Sequence, residues 1–356
     1  KSDVLAIQYV KCTFERMLSM LASDVLFEPY ENACRVRLRI EGVLTEVDPP
    51  SVRLFGDVIS RIKVLSKLDV AQRHLPQEGT FTLRSGSRRI ELRVTTCPTV
   101  SGEKVIVRRM EKPRQLRELS QIGMDRTQLA GLAESIQHSD GLILVTGPNG
   151  SGKRSTLYSC LTQLNHDRSN ICTIEDNVAM KLRGISQVQA QSNEGLTFSD
   201  AIRSFVQQDA DVIMASEVID RDTAESCVRA AVGGCLVFSA VDTNDAASAV
   251  ERFSRWGIEP YLLSSTLRLL VAQRLVRRLC DQCKIPFQLD AQSSAHFGIP
   301  KEIPVFRADG CKRCLGTGYR GEVAVFEVIP IKQELRGLIR SGTSMNTLTQ
   351  FAERNG

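Results

Sequence analysis

A glycine-rich turn between a predicted strand and a predicted helix is the part of this sequence best suited to bind phosphate. The run GLILVTGPNGSGKRST covers residues 141–156, with an apolar segment before the turn and helical spacing after it. Backbone N–H groups of such a turn point inward, and the helix N-terminus attracts anions. The pattern G-x-x-x-x-G-K is the P-loop signature. The predicted nucleotide-binding residues are Gly147, Pro148, Asn149, Gly150, Ser151, Gly152, Lys153, Arg154 and Ser155.

The residue after the P-loop lysine departs from the signature. The pattern places a Ser or Thr hydroxyl there for magnesium, but this sequence has Arg154. A guanidinium is a fixed cation with donors only, so it cannot ligate a metal. Helix geometry turns the next two hydroxyls, of Ser155 and Thr156, roughly 100° and 200° away. Either Arg154 replaces magnesium electrostatically and holds ATP without it, or it pairs with Glu217 or Asp176 and the pocket stays empty.

Two apolar segments downstream end in acidic residues of the kind that an NTP-hydrolysing site uses. VIMASE ends in Glu217, and ICTIED ends in Glu175 and Asp176. A carboxylate at a strand end can polarise the attacking water or hold the metal through it. We therefore take Glu217 and Glu175 as catalytic candidates. The alternative is that these acids belong to solvated turns on the surface.

Two C-x-x-C pairs form the second chemical signal, and they consist of Cys280, Cys283, Cys311 and Cys314. Four thiolates at this spacing fit a structural zinc ion, and the basic residues beside each pair would offset the thiolate charge. Four free thiols or a redox pair is the alternative. The remaining cysteines lie singly and mostly in apolar surroundings, which is typical of buried free thiols in a reducing compartment.

Length and composition limit the class of protein. The chain has 356 residues, of which 42% are hydrophobic and 24% charged, as in a soluble globular protein of two domains. No apolar run reaches the roughly 18 residues that a bilayer-spanning helix needs. The start, KSDVLAIQYV, lacks a signal peptide's layout, and the missing initiator Met is typical of a fragment. The net charge of +5 permits an acidic ligand or a lipid surface but does not require nucleic acid.

The hydrophobic pattern predicts two domains. Residues 1–112 alternate between strand and helix signals in the manner of an α+β domain, and a polar linker covers 113–124. From 125 to 356 short apolar strands alternate with helices, which predicts an α/β domain with a parallel sheet. That domain would include a cysteine module at 278–318 and a short helical tail. The basic run LRLLVAQRLVRRL has helical spacing, and we expect a solvated or intersubunit helix face there.

Taken together, these motifs resemble the ATPases of type II secretion and type IV pilus assembly. The resemblance rests on VTGPNGSGKRSTLYS, TIEDNV, GLTFSDAIRS, QQDADVIMASE, LLSSTLRLLVAQRLVRRLC and CLGTGYRGEVAVFEV, together with the paired C-x-x-C. Near the start, SDVLFEPYEN, RVRLRIEGVL, SRIKVLSKLDVAQRHLPQEG and SGEKVIVRRM are similar to the family's second N-terminal domain. The resemblance covers nearly the whole sequence. We expect the family's earlier docking domain to be absent and the C-terminal end to be short.

The resemblance implies a RecA-like P-loop ATPase domain preceded by a PAS-like α+β domain, with ATP bound between them and zinc in the cysteine module. It implies a hexameric ring at the cytoplasmic face of the bacterial inner membrane. The implied partners are copies of this chain or an active paralogue, an inner-membrane platform protein and a cytoplasmic-domain adaptor. Nucleic acid is not expected as a partner, and a nucleic-acid translocase is the weakest reading.

The resemblance also shows where this sequence departs from the family's pattern. Lys153, Glu175, Asp176 and Glu217 stand where the family has them, and Cys235 and Asp242 replace its two histidines. The residues that differ from the family's pattern are Thr80, Arg154, Ala179, Gln207, Ser216, Ile219, Cys235 and Asp242. Catalysis of phosphoryl transfer is mostly positioned charge. We therefore predict a ring, structural or regulatory subunit with impaired or lost ATP hydrolysis. An active ATP-hydrolysing hexameric motor is the alternative.

Overall fold

The computed structural model describes residues 2–86, 88–110, 118–191, 195–300, 302–314, 316–342 and 347–351. The chain forms two compact units. The first combines residues 1–112 with 277–322, and the second combines 113–276 with 323–356. In the described part of the chain, every helix is too short or too polar to cross a membrane.

The N-terminal part of the first unit is an antiparallel sheet covered by two helices. In chain order its elements are α1 (Ser2–Ser19), β1 (Asp24–Pro29), β2 (Cys34–Ile40), β3 (Val43–Val47), α2 (Val52–Leu65), β4 (Gln77–Ser85), β5 (Arg88–Thr99) and β6 (Gly102–Met110). The strand order is β3-β2-β1-β6-β5-β4. In β2, CRVRLRI alternates between buried apolar and half-buried basic side chains, which is the pattern of a strand with one face on a core. Both helices pack on that apolar face.

The second unit is built on a sheet of seven strands. Its elements are α3 (Arg126–Ser135), β7 (Gly141–Thr146), α4 (Lys153–Leu164), β8 (Ile171–Glu175), β9 (Ser186–Gln189), α5 (Phe198–Gln207), β10 (Val212–Ala215), α6 (Arg221–Val232), β11 (Leu236–Val241), α7 (Ala246–Arg255), α8 (Pro260–Thr266) and β12 (Leu267–Leu279), with β15 (Tyr319–Pro330) and α10 (Gln333–Arg340) after the cysteine segment. The strand order is β15-β12-β7-β11-β10-β8-β9. The six strands from β12 to β9 run parallel.

Helices cover both faces of this sheet because its central strands are apolar on both sides. All six residues of β7 and all six of β11 are buried. Alternate β7 residues enter opposite cores: Leu142 and Leu144 pack with α5 to α8 and α10, whereas Ile143 and Val145 pack with α3 and α4. Such continuous apolar runs are typical of parallel strands buried between two helix layers. The predicted α/β class is confirmed.

The basic run at 267–279 is a strand, so the prediction of a helix face there was wrong. Its first half lies parallel to β7 and is almost entirely buried, while most of its second half is exposed. Arg268 pairs with Asp140 at 2.9 Å, and Arg274 donates to the carbonyl oxygen of Asn244. An apolar run interrupted by arginines fits either a helix or a buried strand by periodicity, and pairing with β7 decides between them.

The cysteine segment carries a two-stranded antiparallel sheet, β13 (Ile285–Phe287) and β14 (Val305–Arg307), with α9 (Ala291–Phe297) between the strands. The compact units group this segment with residues 1–112, whereas the predicted boundaries place 278–318 inside the 125–356 domain. Part of the predicted linker, 113–117, lies outside the described residues. Leu119 and Ile122, from the rest of it, are buried in a core of the second unit. The domain boundaries themselves stay a prediction.

Candidate functional site

The glycine-rich turn lies between β7 and α4, as its sequence predicts. Gly147, Gly150 and Gly152 have φ angles of 144°, 81° and 90°, a region that side-chain-bearing residues rarely adopt. At Gly147 there is also no room for a side chain, because a Cβ atom would lie 2.2 Å from the carbonyl oxygen of Gln273. Gly152 is the N-cap of α4. The turn is therefore a closely packed loop that opens onto a helix N-terminus.

Lys153 folds back over this turn and also contacts a carboxylate. Its Nζ donates to the carbonyl oxygen of Gly147 at 2.7 Å and to that of Pro148 at 3.2 Å. The same ammonium lies 2.5 Å from Oδ1 of Asp242. Asp242 directly follows β11, the parallel neighbour of β7, and the register pairs Val241 with Thr146. The P-loop lysine is thus paired with an acid at the carboxyl end of the adjacent strand.

Arg154 is paired as well. Its Nη2 donates to Oδ1 of Asp176, the residue after β8, and Oγ of Ser216 donates to the same oxygen at 3.2 Å. Of the two partners considered from the sequence, Asp176 is therefore the one observed in the structure. The side chains of Arg154 and Asp176 are 37% and 65% exposed. A pair this exposed contributes only about 0–1 kcal/mol, so a competing anion can replace Asp176 at low cost.

The two hydroxyl groups that follow Arg154 occupy different environments. Thr156 is buried and donates to Oε1 of Gln273 at 2.6 Å, while Ser155 is exposed at the position after Arg154. Among the described residues, the only group of three or more clustered potential metal ligands is the four cysteines. The loss of a magnesium ligand at the position after the P-loop lysine stays a prediction from the sequence.

The hydroxyl group of Ser151, which lies in the turn itself, differs from that of Thr156 in its hydrogen bonding. Its hydroxyl is buried and has no hydrogen-bond partner in the described part of the chain. A buried polar atom without a partner costs about 1–3 kcal/mol, and such atoms often mark a site for a ligand. Ser151 lies within the glycine-rich turn, and its role in binding phosphate stays a prediction.

The two catalytic candidates occupy different environments. Glu175 is fully buried and accepts hydrogen bonds from Tyr158, from Thr173 at 2.9 Å and from Gln187 at 3.1 Å. Burial and this carboxylate together raise the pKa of Tyr158 above its ordinary value. Glu175 therefore stabilises the interior of the second unit, and its catalytic role stays a prediction.

Glu217 is half-buried and is the second residue after the end of β10. Burial, together with the charge of the neighbouring Asp242 and a hydrogen bond to it, raises the pKa of Glu217, while Lys153 opposes the shift. Lys153, Asp242 and Glu217 thus form one electrostatic cluster. Sequence reasoning missed the Lys153–Asp242 contact. Asp242 directly follows the apolar segment LVFSAV, much as Glu217 follows VIMAS, and that similarity was the available signal.

The four cysteines converge as their spacing predicts. Their sulfur atoms all lie within 4.8 Å of one another, with Sγ–Sγ distances of 3.9 Å for Cys280–Cys311 and 3.7 Å for both Cys283–Cys314 and Cys311–Cys314. Sulfurs bound tetrahedrally to zinc at about 2.3 Å are roughly 3.8 Å apart, whereas a disulfide requires about 2.05 Å. The cluster therefore has the dimensions of a tetrathiolate zinc site.

Hydrogen bonds at Cys314 favour the form that a metal binds. Burial would raise the pKa of this thiol, but the N–H groups of Cys311 and Gly318 donate to its sulfur at 3.1 and 3.2 Å and lower the pKa to about 6. Burial raises the pKa of Cys283 to about 12. These two N–H donors would stabilise the thiolate form of Cys314, which is the form that a metal would bind.

The whole chain, residues 1–356, matches the family of Type II/IV secretion system proteins. The chain belongs to this family. It is 42% identical over 360 residues to "Type IV pilus assembly ATPase PilB" of Myxococcus xanthus, covering 99% of this chain and 64% of that protein. It is 38% identical over 358 residues to "Type II secretion system protein E" of Pseudomonas aeruginosa, covering 100% of this chain and 71% of that protein.

Solved structures agree with this family at the level of the fold. The ATPase DotB of Legionella pneumophila superposes with a TM-score of 0.65 at 19% identity, covering 96% of this chain and 86% of that one. The pilus retraction motor PilT, solved with bound ADP, gives a TM-score of 0.60 at 22% identity, with coverage of 96% and 87%. The family resemblance predicted from the motifs is confirmed, while the PAS-like assignment of residues 1–112 stays a prediction.

Four of the residues that differ from the family's pattern lie at or near the ends of helices and strands. Gln207 is the last residue of α5, and Ile219 is exposed in the segment between β10 and α6. Cys235 is buried immediately before β11, and Asp242 is at that strand's other end. Of these four, Asp242 is the one in contact with the P-loop lysine.

Proposed function

We propose that this chain is a nucleotide-binding subunit of a type II secretion or type IV pilus assembly machine in which ATP hydrolysis is impaired or lost. Relatives in its family carry these names. The subunit acts as a ring, structural or regulatory component at the cytoplasmic face of the bacterial inner membrane. It assembles with copies of itself or with an active paralogue, and it contacts a platform protein and a cytoplasmic adaptor.

The observation that carries the proposal is the pairing of the P-loop lysine with a carboxylate of this chain, beside a second cation that is also paired. Lys153 is held by Asp242 and Arg154 by Asp176. Phosphoryl transfer depends on cations aimed at the transferring phosphoryl group and on a metal that bridges its oxygens. Removing one such stabilising group typically lowers turnover about 10²- to 10³-fold. A site whose lysine is engaged and whose hydroxyls do not fit magnesium should therefore hydrolyse ATP slowly.

Nucleotide binding is supported separately. The turn keeps its left-handed glycines, and the buried hydroxyl of Ser151 lacks a partner in the described structure. Arg154 adds a permanent positive charge whose exposed pairing with Asp176 is weak enough to exchange for phosphate. A guanidinium binds phosphate through paired N–H donors. Arg154 therefore supplies the positive charge that a metal would otherwise bring.

A fluorescent ATP analogue, titrated in excess Mg²⁺ and again in excess EDTA, tests this proposal. We expect the two dissociation constants to agree within about threefold for the wild type, because Arg154 replaces the ion. Arg154→Thr should weaken binding in EDTA by tenfold or more. Arg229→Thr is the matched control, since this arginine lies on α6 and pairs with Glu225. An absence of binding in both buffers would refute the proposal.

An active ATP-hydrolysing hexameric motor is the second candidate. The observation in its favour is Glu217, which is half-buried within the same cluster as Lys153. A half-buried acid near a strand end whose pKa is raised is a candidate general base. Steady-state turnover separates the two candidates.

The cysteine cluster is proposed as a structural zinc site in either case. Cys280, Cys283, Cys311 and Cys314 would all be ligands, which leaves no open coordination position for chemistry. The ion would fix the segment that carries β13 and β14. Elemental analysis of the purified chain should find about one zinc per chain, and a value near zero would rule the site out.

A further inference from the structure

The contact between Lys153 and Asp242 has a consequence for ligand binding. We propose that Asp242 is an internal competitor of nucleotide: its carboxylate occupies the P-loop lysine, and a polyphosphate must displace it to bind. The inference rests on the proposed nucleotide site and adds what sets the affinity of that site. Nucleotide affinity is then governed by a residue at the end of β11, beyond the glycine-rich turn itself.

The fold holds this carboxylate in place. The backbone oxygen of Asp242 accepts a hydrogen bond from Nη1 of Arg252 at 2.7 Å. The next residue is tied to β7, because Oγ1 of Thr146 donates to the carbonyl oxygen of Thr243 at 3.2 Å. The guanidinium of Arg252 in turn lies over the ring of Trp256, 5.1 Å from its centroid. Asp242 is therefore presented to Lys153 by a backbone fixed on both sides.

The charges around Asp242 favour this pairing. Lys153 faces it from α4, with its side chain only 10% exposed, and Arg252 faces its backbone from α7. Near the end of β10, Glu217 is a second acid beside Asp242, and the charge of Asp242 helps to raise its pKa, so Lys153 is the cation that both carboxylates face. An ion pair this shielded from water is less screened than a surface pair and is correspondingly stronger. It therefore resists displacement more than the exposed Arg154–Asp176 pair does.

A P-loop lysine normally binds the β- and γ-phosphates. With Asp242 in place, an incoming polyphosphate meets a neutralised lysine and a nearby negative charge. The apparent affinity is thus reduced by the fraction of molecules in which Asp242 has swung away. The structure offers room for that movement, because a cavity of about 450 Å³ adjoins Asp242 and is lined by Arg252, Arg255 and Trp256, among others. Arg255 is paired there with Glu251, so Arg252, which already donates to the Asp242 backbone, is the guanidinium nearest to a displaced carboxylate.

The test uses the full chain with inorganic tripolyphosphate and ATP as probes, titrated in EDTA by isothermal calorimetry. Tripolyphosphate reports on the phosphate loop without any contribution from base or ribose. Asp242→Asn should bind both probes about tenfold tighter or more, because the lysine is released from a charged partner. Asp222→Asn is the control, since it removes an exposed carboxylate from α6 and changes the net charge equally. It should shift affinity less than twofold.

A double-mutant cycle separates competition for Lys153 from a general structural effect. In a Lys153→Ala background, Asp242→Asn should gain much less, because no ammonium is left to release and only the repulsion between the Asp242 carboxylate and the phosphates is removed. Asp242→Ser is a second neutral substitution, with a smaller side chain, in case Asp242→Asn folds poorly. It should also bind tripolyphosphate and ATP more tightly than the wild type. Unchanged or weaker binding in both Asp242 variants would overturn the proposal. A gain of equal size in the Lys153→Ala background would also overturn it, and so would a failure of every variant to bind tripolyphosphate. Fast wild-type turnover would refute only the proposed loss of hydrolysis.

Discussion

Replacing Glu175 with alanine should destabilise the second unit by about 3–5 kcal/mol. The carboxylate is fully buried and accepts three hydrogen bonds, from Tyr158, Thr173 and Gln187. Leaving a buried donor without its acceptor costs about 1–3 kcal/mol. Three such donors left without an acceptor would together lower the unfolding free energy by about 3–9 kcal/mol. We take the lower part of that range because Gln187 is half-buried and can reach water.

Urea unfolding followed by circular dichroism measures this cost. For an m-value of roughly 2 kcal/mol/M, the transition of the second unit should move down by about 1.5–2.5 M. Glu217→Ala is the control, because that acid also follows a strand of the same sheet but is only half-buried. Its midpoint should stay within about 0.3 M of the wild type. Equal midpoints for the two variants would show that Glu175 does not hold the interior together, and its buried network would then need another explanation.

Three further predictions follow from the same geometry. Gly147→Ala should lower the melting temperature of the second unit far more than Gly150→Ala does. Both glycines have a positive φ, but only at Gly147 would the added Cβ lie 2.2 Å from a backbone atom. Equal melting temperatures for the two variants would contradict this. Cys280→Ser should lower zinc content well below one per chain by elemental analysis, and unchanged content would exclude Cys280 as a ligand. The raised pKa of Glu217 means that folding favours its protonated form, so this contribution to stability is present below its ordinary value of 4.5 and is lost as pH rises through the raised pKa. The unfolding free energy of wild type minus that of Glu217→Gln should therefore fall with rising pH, and a constant difference would contradict the shift.

The phosphate turn and the cysteine cluster could be predicted from the sequence because each depends on local spacing. Glycines at 147, 150 and 152 fix the turn wherever the strand and helix lie. Two C-x-x-C pairs need only one tertiary contact to converge. The central strands were also predictable, since runs such as LILVT and LVFSAV have few alternatives to a buried strand.

Other features of the site could not be predicted, because they depend on the order of the strands in the sheet and on how deeply each side chain is buried. The sequence does not say that β11 is the neighbour of β7, so it could not place Asp242 against Lys153. Glu175 and Glu217 read alike as acids at strand ends, yet one is fully buried and the other half-buried. The strand at 267–279 was misread as a helix face because its pairing with β7, and not its periodicity, determines its conformation.

Steady-state ATP turnover of the assembled wild-type oligomer in saturating Mg²⁺, beside Arg154→Thr, tests the central claim most directly. The pairing of Lys153 and Arg154 with internal carboxylates predicts wild-type turnover well below the median of about 10 s⁻¹ for enzymes. Arg154→Thr restores the hydroxyl of the P-loop signature and should raise turnover. Glu217→Gln in that background should abolish the gain. Wild-type turnover of several per second, reduced rather than raised by Arg154→Thr, would contradict the account and establish an active motor.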